Sequence, residues 1–238
     1  MIGNFLLLLA SWLLLRLEKK NLRVLGLSPT VERGFEILLG FLVTAFLAIL
    51  LALLLAFVAQ FVWLPNESML NSIVFRDLFN SFQTVFYEEL LFRGYLLYKA
   101  ITLLGDRKAN MLSAVAFGMY HWFSFGVFGN PLLMLWVLFY MGLWGLMLAY
   151  AYSRTGSLAL PIGLHWGWYF IQHHVFNEQG SGFFTAVTNI HTMYLSNLES
   201  MLYLRLPIIA FSVILVVFLA KLKPKVGKVS KIKSKVSR

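Results

Sequence analysis

Ile37 to Leu64 reads ILLGFLVTAFLAILLALLLAFVAQFVWL and carries no charged side chain. A helix rises about 1.5 Å per residue, so this run exceeds the roughly 30 Å hydrocarbon core of a bilayer and must tilt or overhang. Working outward, the same character recurs. Ala109 to Tyr152 holds no Lys, Arg, Asp or Glu over 44 residues, enough for two spans, with Gly129-Asn130-Pro131 as the break between them. Ile2 to Leu15 makes a short anchor. Phe79 to Leu104, Leu158 to Phe176 and Met201 to Ala220 complete the set. The pattern predicts an all-α integral membrane protein, a polytopic bundle of seven transmembrane spans, or eight if one boundary is misplaced. Residues 1–220 form a single membrane-embedded domain in this reading, and residues 221–238 a basic, disordered cytoplasmic tail.

Composition points the same way. Hydrophobic residues make up 60% of the 238 and charged residues only 13%, with a mean hydropathy of +0.76. Soluble domains carry about a quarter charged residues. Cysteine is absent, which excludes disulfides, zinc–thiolate sites and thiol nucleophiles. The net charge of +10 is unevenly spread: eight of the twenty basic residues fall between Lys221 and Arg238, and Arg16, Lys19, Lys20, Arg23 and Arg33 share the first polar loop. Basic clusters beside apolar spans mark a cytoplasmic face and touch anionic lipid, so anionic lipid at the tail is the expected partner and nucleic acid is not. Alternating the spans collects sixteen basic residues on one side and leaves Arg76 and Arg205 on the other. That places the N-terminus outside and the C-terminus inside, in what we read as a prokaryotic cell membrane.

Chemistry concentrates in the third span, where Glu88, Glu89 and Arg93 occur together. Each charge at a helix centre costs about 2.5–3.5 kcal/mol on insertion scales. Glu89 and Arg93 are four residues apart, share a helix face and can neutralise each other as a structural pair. Glu88 points about 100° away, and the positions one turn either side of it, Thr84 and Phe92, are uncharged. A buried carboxylate of that kind suits a general base. His121 and His165 fall inside two further spans, and with Glu88 they make a constellation. His173 and His174 near a span end, and His191 in a polar segment (Asn177 to Ser200, with room for an interfacial helix), read as interfacial residues. The dense aromatics read mostly as packing and belt residues. No HExxH is present, Gly180-Ser181-Gly182 sits in a polar loop, and Asp77 and Asp106 lie near span ends, so zincin, serine and paired-aspartate chemistries do not fit.

The motifs carry a resemblance. Glu88-Glu89-Leu-Leu-Phe-Arg93 matches EExxxR, Phe117-Gly-Met-Tyr-His121 matches FxxxH, and His165 opens a third motif. In this order, each on its own span between Glu88 and Tyr169, they resemble the CAAX-protease and bacteriocin-processing (Abi) family, which includes Ras-converting enzyme. The resemblance implies a glutamate-dependent intramembrane endopeptidase with an all-helical core and no cofactor. Its substrate would be a membrane-associated protein or peptide: a prenylated CAAX-type chain, a leader-bearing peptide or a membrane-protein segment. Carried over, Glu88 activates water with help from His121, and His165 stabilises the oxyanion. Glu89, Arg93, Phe117 and Tyr169 support them. The third motif usually reads HxxxN, whereas here it is His165-Trp-Gly-Trp-Tyr169, which puts the oxyanion role in doubt. Two alternatives stay open: a zinc protease using Glu88, His121 and His165 as ligands, and a non-catalytic immunity or scaffold protein of the same fold.

Overall fold

The computed structural model describes residues 2–67, 74–177, 182–188, 192–193, 195–196, 199 and 201–226. His191, Gly180, Ser181, eleven of the 24 residues of the segment expected to hold an interfacial helix, and the tail from residue 227 lie outside them. The chain is a helical membrane protein. Its helices are α1 (Ile2–Leu17), α2 (Val31–Ala59), α3 (Val74–Arg93), α4 (Tyr95–Leu104), α5 (Asp106–Ser124), α6 (Pro131–Thr155), α7 (Ala159–Phe170) and α8 (Leu206–Lys221). Val31–Ala59, Pro131–Thr155 and Met201–Lys221 are each long and apolar enough to cross a bilayer, and Ile2–Leu17 is a shorter apolar helix. The expected break before α6 is built as its residues dictate. Asn130 Oδ1 caps the helix by accepting from the Leu133 N–H at 3.2 Å, Pro131 needs no N–H partner, and Gly156 closes the other end with φ +70°.

Three expectations are corrected. First, α2 stops at Ala59 and not at Leu64, because Gln60 turns left-handed (φ +56°) and the Phe61 N–H donates to Ala56 O at 3.1 Å. Second, the all-helical architecture stands but gains one short two-stranded ribbon. Beyond that stop, Val62–Pro65 forms β1, which pairs antiparallel with β2 (Phe184–Val187), Val62 opposite Val187 and Pro65 opposite Phe184. Val and Trp favour a pleated strand, and Trp63 Nε1 ties the ribbon back by donating to Ala52 O at 3.0 Å. Third, the span from Phe79 to Leu104 is two helices parted at Gly94. A Cβ there would stand 2.2 Å from Leu90 O, so only glycine lets the backbone turn this closely.

The chain falls into two compact units: residues 1–35, 87–161 and 209–238, and residues 36–86 and 162–208. In the first, α5 and α6 approach through glycine. Added Cβ atoms at Gly118 and Gly145 would meet Leu138 O at 2.8 Å and the Phe117 ring system at 2.9 Å. Two buried polar ties fix the far end of this pair. Asn110 Nδ2 donates to Ser153 Oγ at 2.9 Å, and Arg154 both pairs with Asp106 at 2.7 Å and donates to Leu219 O at 3.0 Å. Glu18, just past α1, accepts from Lys20, Lys99 and the Tyr95 hydroxyl, and these donors hold its carboxyl down at about pH 2. In the second unit, Ala45, Ala48, Phe170, Ile171 and Phe183 form an apolar core. There α7 lies against α2 backbone to backbone, since Cβ atoms at Gly163 and Gly167 would come 2.3 Å from Ile37 O and 2.2 Å from Phe41 O.

Candidate active site

In the first unit the EExxxR residues end α3, immediately before the Gly94 break. Glu89 and Arg93 are both fully buried, and Arg93 Nε lies 3.3 Å from Glu89 Oε2 across one helical turn. Desolvating two such ions costs several kcal/mol each, which their mutual attraction must offset. A further stabilising contact is aromatic. The guanidinium lies over the Phe117 ring, 4.4 Å from its centroid, and a desolvated cation–π contact contributes about 2 kcal/mol. Phe117 is itself wholly buried against Gly145 of α6. The motif phenylalanine is therefore the surface on which the motif arginine rests, linking α3 to α5. Ser113 Oγ, donating to Phe92 O at 3.3 Å, ties the same two helices.

Glu88 stands differently from its neighbour. It is half-buried, not sealed in, which corrects the expectation of a fully buried carboxylate. The 100° rotation that takes it off the Arg93 face also turns it outward from the packed core. Its charge is within electrostatic range of Arg93 and of the Tyr120 hydroxyl on α5. His121 follows Tyr120 directly and is buried, its ring 4.4 Å from that of Phe117. His121 Nδ1 lies 2.8 Å from Phe117 O. A carbonyl oxygen can only accept, so Nδ1 carries the hydrogen and Nε2 of the neutral ring presents a lone pair. The motif thus sets the tautomer through its own backbone.

His165 and Tyr169 belong to the second unit. On α7 they share one face, and Gly163 and Gly167 share the opposite one, clamped on α2. His165 is buried. Its neighbour Trp166 fixes the helix by donating from Nε1 to Ser81 Oγ at 2.9 Å and packing its ring on Phe41 and Phe82. Beyond Phe170 the helix widens, with the Phe176 N–H donating to Ile171 O at 2.9 Å. This wider turn carries His173, whose ring lies 4.3 Å from that of Tyr169, and His174, 3.7 Å from Asp77. Tyr169 therefore packs toward the end of its helix. Among the described residues, no three His, Asp or Glu side chains gather closely enough to hold a metal ion.

The structure thus brings Glu88, Glu89, Arg93, Phe117 and His121 into the first unit and leaves His165 and Tyr169 in the second. The sequence reading passed over Tyr120, hidden at an unspecified position of FxxxH. It also passed over Gly163 and Gly167, although their four-residue spacing around His165 was visible. No curated protein and no solved structure is significantly similar to the chain. Residues 46–171, more than half of the chain and spanning every motif residue described above, match the family described as type II CAAX prenyl endopeptidase Rce1-like. The chain belongs to this Rce1-like family of CAAX proteases.

Proposed function

We propose that the protein is a glutamate-dependent intramembrane endopeptidase that hydrolyses a peptide bond in a membrane-associated protein or peptide. What carries the reading is the division of labour between adjacent carboxylates. Glu89 is buried in a pair with Arg93, whereas Glu88 is half-buried beside the helix of His121. In the proposed reaction Glu88 takes a proton from water while His121 Nε2 accepts the water's second hydrogen bond. The hydroxide attacks the scissile carbonyl, and His165 stabilises the oxyanion by family analogy. Glu88 then returns the proton to the leaving amine. General-base help supplies about 10²–10⁴-fold and an oxyanion donor about 10²–10³-fold, so no metal is required.

The test is cleavage of a membrane-tethered reporter by purified protein. Glu88→Gln keeps size and polarity but takes no proton, so turnover should vanish while the melting temperature holds. Turnover should also survive a strong chelator; chelator sensitivity would favour zinc on Glu88, His121 and His165. Retained turnover in Glu88→Gln would end the mechanism. One observation favours the scaffold reading, namely that Tyr169 replaces the family asparagine and packs on His173. A wild-type protein without turnover on prenylated and leader-bearing substrates alike would select it.

The proposal includes an orientation, N-terminus outside and C-terminus cytoplasmic, supported by the sixteen-to-two basic asymmetry. A reporter fused after Arg238 should be active on the cytoplasmic side, and activity on the outer side alone would reverse the topology.

A further inference from the structure

Three cation-bearing segments of the first unit converge on the end of α6. The loop after α1 reaches it at Gly26, which is left-handed (φ +75°) and so close to the Ser157 backbone that any Cβ would overlap it. The turn before α5 reaches it through Asp106, which accepts from Arg154 at 2.7 Å. The chain leaving α8 is tied twice: Arg154 Nε donates to Leu219 O at 3.0 Å, and the Lys225 N–H donates to Ser153 O at 3.0 Å. Each segment carries two exposed cations, Lys19 and Arg23 on the first, Arg107 and Lys108 on the second, Lys223 and Lys225 on the third. The two acids on these segments are already engaged, Glu18 by Lys20, Lys99 and Tyr95, and Asp106 by Arg154. Among the described residues, none of the six exposed cations pairs with an acid.

Folding thus gathers positive charge that these segments do not neutralise, and the depth of this end identifies the counter-charge. Pro131–Thr155 and Met201–Lys221 are both long and apolar enough to cross a bilayer, and both stop here. The cations therefore stand where two spans leave the hydrocarbon, at the level of the lipid headgroups. We propose that this end of the first unit is a binding surface for anionic lipid headgroups, built by the folded domain from three segments and separate from the basic tail beyond residue 226. The aliphatic stems of Lys and Arg can lie along the helix ends while their charges reach a phosphate. Each cation at such a surface strengthens the attraction to an anionic leaflet about fivefold, and six held together by backbone and ion-pair ties act without first having to be gathered. The surface is independent of the chemistry read at Glu88.

Native mass spectrometry of the purified full chain reads the surface directly. Offered an equal mixture of phosphatidylcholine and phosphatidylglycerol, the parent should retain phosphatidylglycerol about tenfold over phosphatidylcholine, and high salt should weaken the preference. Replacing all six cations by Gln should erase it. The paired variants Lys19→Gln with Arg23→Gln, Arg107→Gln with Lys108→Gln, and Lys223→Gln with Lys225→Gln should each lose part of it, which keeps the test decisive if the sixfold variant does not fold. Replacing the five tail cations from Lys228 to Arg238 by Gln should leave most of it in place. A parent without preference overturns the proposal, and so do paired variants that all bind like the parent. A tail variant that loses the preference as fully as the sixfold one moves the lipid to the tail and overturns it too. Inorganic phosphate that displaces the lipid at equal concentration would mark a free-anion site and overturn the lipid assignment.

Discussion

Two helices carry the motif histidines, and different physics holds each of them. In the first unit, α5 is braced by charge and aromatic surface: the Glu89–Arg93 pair is sealed from solvent and Arg93 rests on Phe117. In the second unit, α7 contains no charged residue at all. Close backbone contact holds it, with Gly163 and Gly167 pressed on the carbonyls of Ile37 and Phe41, alongside the neutral tie from Trp166 to Ser81. The difference teaches where each motif is vulnerable. The first depends on charges that must remain paired in a low-dielectric interior, the second on the absence of two methyl groups.

Breaking the charged brace should have the largest effect. Arg93→Ala strands a fully buried Glu89 and removes the cation–π contact, and a broken buried pair costs about 3–5 kcal/mol. At roughly 2–4 °C per kcal/mol for a chain of this size, the melting temperature in detergent should drop by about 6–20 °C. Glu89→Gln should also lose stability, while keeping more activity than Glu88→Gln. Normal melting of Arg93→Ala combined with lost turnover would move Arg93 from the scaffold into the reaction.

The backbone clamp should break at smaller cost. In Gly167→Ala the new methyl would stand 2.2 Å from Phe41 O and 2.6 Å from Thr44 Oγ1, and the carbonyl cannot swing aside as a side chain would. Overpacking costs about 1–3 kcal/mol, so a fall of roughly 2–12 °C is expected. Gly142→Ala in α6 is the internal control. Its nearest neighbour is Ala114 O at 3.5 Å, an ordinary contact, and it should melt like the parent. Equal melting of the two variants would show that α7 is not clamped in this way.

This contrast also marks what the sequence could tell. Uncharged runs announce spans because bilayer insertion is a property of composition, and Asn130-Pro131 announces a helix start because its capping chemistry is local. Glu89 and Arg93 could be paired on paper because the contact lies within one turn. The β-ribbon could not be foreseen, since Val62 and Val187 meet across more than a hundred residues. Gly94 sits inside an otherwise helical run, and only the proximity of Leu90 O shows why the helix breaks there. Glu88 was expected to be buried because hydropathy reports depth in the membrane and not the packing around a side chain.

The smallest expected effect concerns Tyr169. A tyrosine hydroxyl lies several ångströms farther from the backbone than the family's asparagine amide, so substituting for it would require a wider pocket. The ring is instead engaged one turn on, 4.3 Å from His173. If that ring contact is its role, Tyr169→Phe preserves it and kcat should change by less than threefold. An oxyanion donor would by contrast be worth about 100-fold. Tyr169→Asn restores the family residue and should be neutral or faster. The His173 contact supplies the discriminating control, because Tyr169→Asn removes the ring that packs on it while Tyr169→Phe keeps that ring. A 100-fold loss in Tyr169→Phe with unchanged melting would return the hydroxyl to the oxyanion site. Collapse of Tyr169→Asn alone would mean that the ring packs α7 and that family analogy fails at this position. A tolerant Tyr169 would leave His165 as the donor from this helix, held in place by the glycines on the opposite face.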